Sequence, residues 1–140
     1  MIGLADECIY TIVHRQRLAD AIRDGGAVTF HEAKRWVSGK RLLAGARREG
    51  LALPIVFADA AECSRLLFWG ELQEVRLDED GTEYTVANLR SIEGEHAPQE
   101  LVLLGSGERI APDFIRPYAL CRTPSFLSLT SPDRSSSRSG

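Results

Sequence analysis

Leu66-Leu67-Phe68-Trp69-Gly70-Glu71-Leu72-Gln73-Glu74-Val75-Arg76-Leu77 decides the fold. Apolar and polar residues alternate toward its end, with Leu72, Val75 and Leu77 set against Glu71, Gln73, Glu74 and Arg76. Period-two alternation is the mark of a strand with one buried face. The alternation slips near Glu74-Val75, as a β-bulge would make it do. Asp78-Glu79-Asp80-Gly81 follows, and Asp-Gly is a strong hairpin signal. Thr82-Glu83-Tyr84-Thr85-Val86-Ala87-Asn88-Leu89 is then the returning strand. A long antiparallel hairpin forms the centre of the chain.

Working outward, Leu51-Ala52-Leu53-Pro54-Ile55-Val56-Phe57 is extended, and its proline suits an edge strand or a strand's first residues. Cys8-Ile9-Tyr10-Thr11-Ile12-Val13 is rich in β-branched and aromatic residues and reads as a strand. Arg15 to Asp24 carries Leu18, Ala19 and Ile22 at helical spacing and stops at Gly25-Gly26. Ala27–Phe30 is a short strand. His31 to Glu49 reads as two helical pieces, His31–Val37 and Lys40–Glu49, broken at Ser38-Gly39, with Ser38 as N-cap and Gly50 as stop. Ala58–Cys63 reads as loop or a turn of helix. Leu101–Leu104 reads as a compact buried strand and Phe114–Leu120 as the last one. Two helices early and about five strands, joined by hairpins rather than βαβ units, predict an α+β fold. Its sheet is expected to be small, mainly antiparallel and curled or barrel-like, with two to three helices over one opening.

The chain has 140 residues, and 26% of them are charged, which is ordinary for one globular domain. From about Thr123 the sequence turns Ser- and Pro-rich. Residues 1–127 are therefore expected to fold and 128–140 to form a disordered tail. No apolar run reaches the ~18 residues of a membrane span. Asp6 and Glu7 stand where a secretory leader would be apolar. Cys8, Cys63 and Cys121 are an odd number with no CxxC pair, and His14, His31 and His96 lie near none of them. Free thiols in a reducing cytoplasm are expected, with no metal and no cofactor.

The middle of the chain resembles the PUA-like superfamily, which groups PUA, ASCH and EVE domains. The features that carry the resemblance are the helix ending near Gly50, then Pro54–Phe57, then Leu67–Leu72, then the Gly81-Thr82 hairpin and Tyr84–Leu89. It covers roughly Val28 to Leu120. An ASCH-type Gly-x-Lys-x-x-Glu-x-Arg run is not matched, because Leu43 and Gly45 stand where Glu and Arg are wanted. The resemblance implies a pseudo-barrel that binds RNA or DNA, sometimes by taking one base into a pocket.

Charge placement agrees with a nucleic-acid partner. Lys34, Arg35, Lys40, Arg41, Arg47 and Arg48 fall between Ala33 and Arg48 with no acid among them. From Glu71 to Glu100, nine acids face only Arg76 and Arg90. A net charge of -3 thus hides a basic helical region and an acidic hairpin. A basic stripe is the footprint of a phosphate partner, and a solvated helix face has the same composition. Trp36 lies among the cations and Trp69 beside Gly70, so either is a candidate for base stacking, and each is equally a candidate core residue. Arg116 and Tyr118 are candidate outer contacts. Two other classes stay open: a small hydrolase or nucleic-acid-processing enzyme using His31, Glu71 or Cys63, and an interaction module using the acidic hairpin.

Overall fold

The computed structural model describes residues 3–60, 65–110 and 118–127. Among the described residues six strands form one mixed sheet. They are β1 (Glu7–Val13), β2 (Val28–Glu32), β3 (Leu53–Asp59), β4 (Leu66–Asp78), β5 (Gly81–Ser91) and β6 (Tyr118–Arg122). The helices are α1 (Arg15–Asp24) and α2 (Val37–Arg48), and Pro98–Glu100 makes one 3-10 turn. The strand order is β2-β5-β4-β3-β1-β6. The fold is α+β as predicted, with differences in the sheet. The pairings are antiparallel except β1 with β3, which run parallel because α1, β2 and α2 intervene. Among the described strands β2 and β6 are the two ends and do not pair with each other, so this sheet is open rather than a closed barrel.

The β4–β5 hairpin forms as its alternation demands. Its register shifts at Trp69/Glu71 and again at Leu72/Glu74, the second beside the slip seen in the sequence. β3 lies between β4 and β1 and is buried along its whole length, which explains its unbroken apolar run. Pro54 is its second residue, ahead of the parallel pairing that starts at Ile55.

Each face of the sheet has its own core. α1 and α2 cover one, where Leu18, Trp36 and Leu43 pack on Ile9, Ile55, Phe57, Leu72 and Tyr84. On the other face Leu101, Ile110 and Leu127 cover Cys8, Tyr10, Val56 and Trp69. Leu101–Leu104, expected as a strand, forms isolated bridges among the described residues, Val102 to Arg109 and Leu103 to Cys121. The last strand begins at Tyr118, and residues 114–117 of the expected one lie outside the described residues, as do 128–140.

The His31–Val37 helix does not form. His31 and Glu32 end β2, and 33–36 is a loop tied to β5 by Thr82, whose hydroxyl donates to the Lys34 carbonyl at 2.7 Å and accepts the Trp36 N–H at 2.8 Å. α2 instead runs unbroken through Ser38-Gly39. Gly39 is there for space. A Cβ at this position would stand 2.9 Å from the Tyr118 hydroxyl and 3.1 Å from Ile9 Cδ1. Among the described residues no helix is long and apolar enough to cross a membrane.

Candidate nucleic-acid interface

α2 buries Gly39, Leu43 and Ala46 against the sheet. With about 3.6 residues per turn, Arg47, Lys40, Arg48 and Arg41 then span an arc about 120° wide, from the flank of the helix (Arg47, Lys40) to the side opposite the sheet (Arg48, Arg41). All four are exposed, and Val37, 44% exposed, lies among them. Lys34 and Arg35 continue the charge into the preceding loop, also exposed. The structure therefore exposes all six predicted cations, four on one arc of α2 and two in the loop before it. Among the described residues Lys34, Arg35, Lys40, Arg41 and Arg48 take part in no ion pair. Arg47 donates to the Gln73 carbonyl of β4. Arg47 and Lys40 also border a groove against β4 whose far wall holds Glu74 and Arg76.

Trp36 is not on this surface. It is 0% exposed, and the rings of Tyr84 and Tyr118 stack on it at 4.2 and 4.6 Å. Sequence reading offered it as a base-stacking residue. In the structure its ring is the centre of the helix-side core and has no face left for a base. Tyr118, offered as an outer contact, is 8% exposed, and its hydroxyl accepts the Gly39 N–H at 2.7 Å. Burial raises its phenol pKa, so it stays protonated. Trp69 is 4% exposed, in the opposite core. The Arg90 guanidinium lies 4.0 Å over its ring and bonds Glu71 at 2.9 Å. Arg116 lies outside the described residues.

The enzyme candidates separate. His31 Nε2 is 3.0 Å from Glu83, but the imidazole is 74% exposed and Glu83 is shared with Arg76. Glu71 is held by Arg90 on the other side of β5 from β2. Cys63 lies outside the described residues. Among the described residues no cluster of His, Cys, Asp and Glu could hold a metal. A groove of about 440 Å³ runs beside α2 and mixes Arg41 with Asp6, Glu7 and Glu49.

Sequence reasoning missed Arg90, Thr82 and Tyr84. Arg90 had a signal, since it lies in the strand opposite Trp69, where cross-strand partners meet. Thr82 and Tyr84 act through contacts with the 33–36 segment, which no local pattern reveals. No family model, curated protein or solved structure matches the chain.

Proposed function

We propose that the chain is a non-catalytic, PUA-like nucleic-acid-binding module that meets phosphates with the outward arc of α2. The observation that carries this reading is the set of exposed cations on that arc, most of them without an acidic partner. Unpaired Lys and Arg side by side repel each other, and a polyphosphate relieves that repulsion while releasing its own counterions. Lys40 with Arg47, and Arg41 with Arg48, are each seven residues apart. They form two rows about 10 Å long at ~1.5 Å per residue. Lys34 and Arg35, exposed in the loop before the helix, add two further cations.

No aromatic ring among the described residues is exposed beside this arc. The arc is charged and offers no ring, so it suits backbone phosphates better than unstacked bases. Double-stranded or folded nucleic acid is the favoured partner. The helix followed by the β3–β4–β5 meander supports the PUA-like reading, and the open sheet end at β2 marks where the chain departs from a closed barrel.

Fluorescence-anisotropy titrations against single- and double-stranded DNA and RNA at several salt concentrations test the reading. The Lys40→Gln, Arg41→Gln, Arg47→Gln, Arg48→Gln variant keeps helix propensity nearly unchanged. Its log-affinity against log-salt slope should flatten by about 3, because each phosphate contact contributes ~0.7–0.9. Absence of salt-sensitive binding by the native chain, or an unchanged slope in the variant, overturns the proposal.

A further inference from the structure

Cys8 and Cys121, far apart in sequence, stand directly opposite each other in the antiparallel pairing of β1 with β6. Both are fully buried in the same core. Their ladder type follows from the neighbouring bonds. Arg122 N–H and Leu120 C=O turn away from β1 to Val102 and Leu104, whereas Thr123 N–H reaches the Asp6 carbonyl. The odd-numbered residues of β6 therefore bond toward β1, and Cys8–Cys121 is a hydrogen-bonded pair. Such a pair holds its Cα atoms about 5.5 Å apart, inside the span of a disulfide. Its Cβ atoms lie near 5.5 Å, wider than the ~3.5–4.5 Å of a relaxed bridge. A bond here needs only a small approach of the two strands, and it is strained once formed. Strained disulfides are the reducible ones.

Closed in the core, the thiols are inert. Burial pushes Cys121 up to about 12 and Cys8 further, and the neighbouring Cys121 adds to the shift of Cys8. The Cys8 thiol instead donates to the Arg122 carbonyl at 3.5 Å. Reaction needs thiolate, hence water. The cover over the pair includes Leu101 and Ile110, and the segment between them is closed on itself and held to β6 by two backbone bonds, Leu104 N–H to the Leu120 carbonyl and Arg122 N–H to the Val102 carbonyl, rather than by a full strand. Segments held this way open at lower free energy than a sheet.

We propose that Cys8 and Cys121 form a reversible dithiol–disulfide couple, closed by a low-molecular-weight disulfide when the 101–110 segment lifts. One cysteine thiolate attacks the small disulfide, breaks its S–S bond and releases one small thiolate. The second cysteine thiolate then attacks the resulting mixed disulfide at the protein sulfur and releases the other. Two protein thiols are oxidised, one small disulfide is reduced to two thiols, and the two protons pass to the released thiolates. The bridge ties β6 to β1 three residues from Tyr118, whose hydroxyl caps the first turn of α2.

The test uses Cys63→Ser protein, which leaves the pair as the sole cysteines. It is incubated with oxidised glutathione in buffer and in urea well below the unfolding transition, then alkylated, digested and weighed. The expected product is a Cys8–Cys121 linked peptide. It should form several-fold faster in dilute urea and be reversed by dithiothreitol. A Cys8→Ser version should stop at a glutathione adduct on Cys121. Adducts without a linked pair, no reaction in dilute urea, or linkage only above the unfolding transition overturns the proposal.

Discussion

The Tyr118 hydroxyl accepts the Gly39 N–H at 2.7 Å across 79 residues of sequence. Gly39 is the third residue of α2, and the residue before the helix, Trp36, supplies no side-chain cap. A helix leaves its first N–H groups without partners, and a side chain at the N-cap ordinarily takes the N2 or N3 donor. Here Tyr118 of the end strand β6 does so, from the helix-side face of the sheet. Tyr118→Phe keeps the ring on Trp36 and strands the buried donor. It should cost about 1–3 kcal/mol in urea unfolding.

Gly39→Ala tests the same contact from the other side. Alanine gains up to ~1 kcal/mol of helix propensity. Its Cβ would also meet the Tyr118 oxygen at 2.9 Å, and that ring, stacked on Trp36, has little room to retreat. Overpacking costs about 1–3 kcal/mol, so the variant should be less stable than wild type. With Tyr118→Phe already in place the tighter contact is gone and the one with Ile9 Cδ1 at 3.1 Å remains. A double-mutant cycle should therefore be clearly non-additive, with the second substitution costing less than the first.

These two residues also mark where sequence reading stops. The β4–β5 hairpin was legible because its information is local: alternation, an Asp-Gly turn and a slip in phase. α1 was legible to the residue, Arg15 to Asp24, from the spacing of Leu18 and Ile22. The start of α2 was not. Ser38-Gly39 looks like a cap and a break, yet Gly39 is a packing site for Tyr118, and the cap comes from β6. α1 is similar, its Arg15 N–H bonding Asp59 of β3 at 3.2 Å rather than a neighbour. The basic arc was readable as charge on a helix, whereas the burial of Trp36 depends on Tyr84 and Tyr118, distant in sequence.

Gly70 sits in β4 between the two register positions Trp69 and Glu71, with no β5 partner of its own. A Cβ there would stand 2.5 Å from Val86 Cγ1 and 3.0 Å from the Ala87 carbonyl oxygen. The second of these is backbone and cannot swing aside. Gly70→Val should lose about 3 kcal/mol or more, at the upper end of overpacking costs. Thermal unfolding with wild-type stability would mean that β4 and β5 separate freely at this point.

Glu32 ends β2, and desolvation raises its pKa above the ordinary carboxylate value. The folded chain therefore holds this proton more tightly than the unfolded one. The resulting penalty is absent below the unfolded carboxylate pKa, grows as pH rises toward the folded pKa, and is complete above it. Glu32→Gln should raise stability modestly at pH 7, and the gain should vanish in melts run at progressively lower pH. A gain that persists below the carboxylate range would assign the effect to packing rather than ionisation.

Arg90 separates the two sites at which a nucleic acid could be met. Its guanidinium covers Trp69 at 4.0 Å, bonds Glu71 and donates from Nε to the Asn88 carbonyl at 2.8 Å. A partly buried cation–π contact is worth about 0.5–2 kcal/mol, and its loss leaves Glu71 without its ion-pair partner. Arg90→Ala should destabilise the fold by about 1–3 kcal/mol and shift tryptophan emission to the red. That shift would come from Trp69, since Trp36 is 0% exposed and far from the change in sequence and core. Phosphate binding on α2 predicts that the folded variant keeps its affinity for duplex and its salt slope, because the substitution removes no cation from the arc. Loss of binding with the fold intact would move the interface to the Trp69 side of the sheet, with Arg90 as its contact.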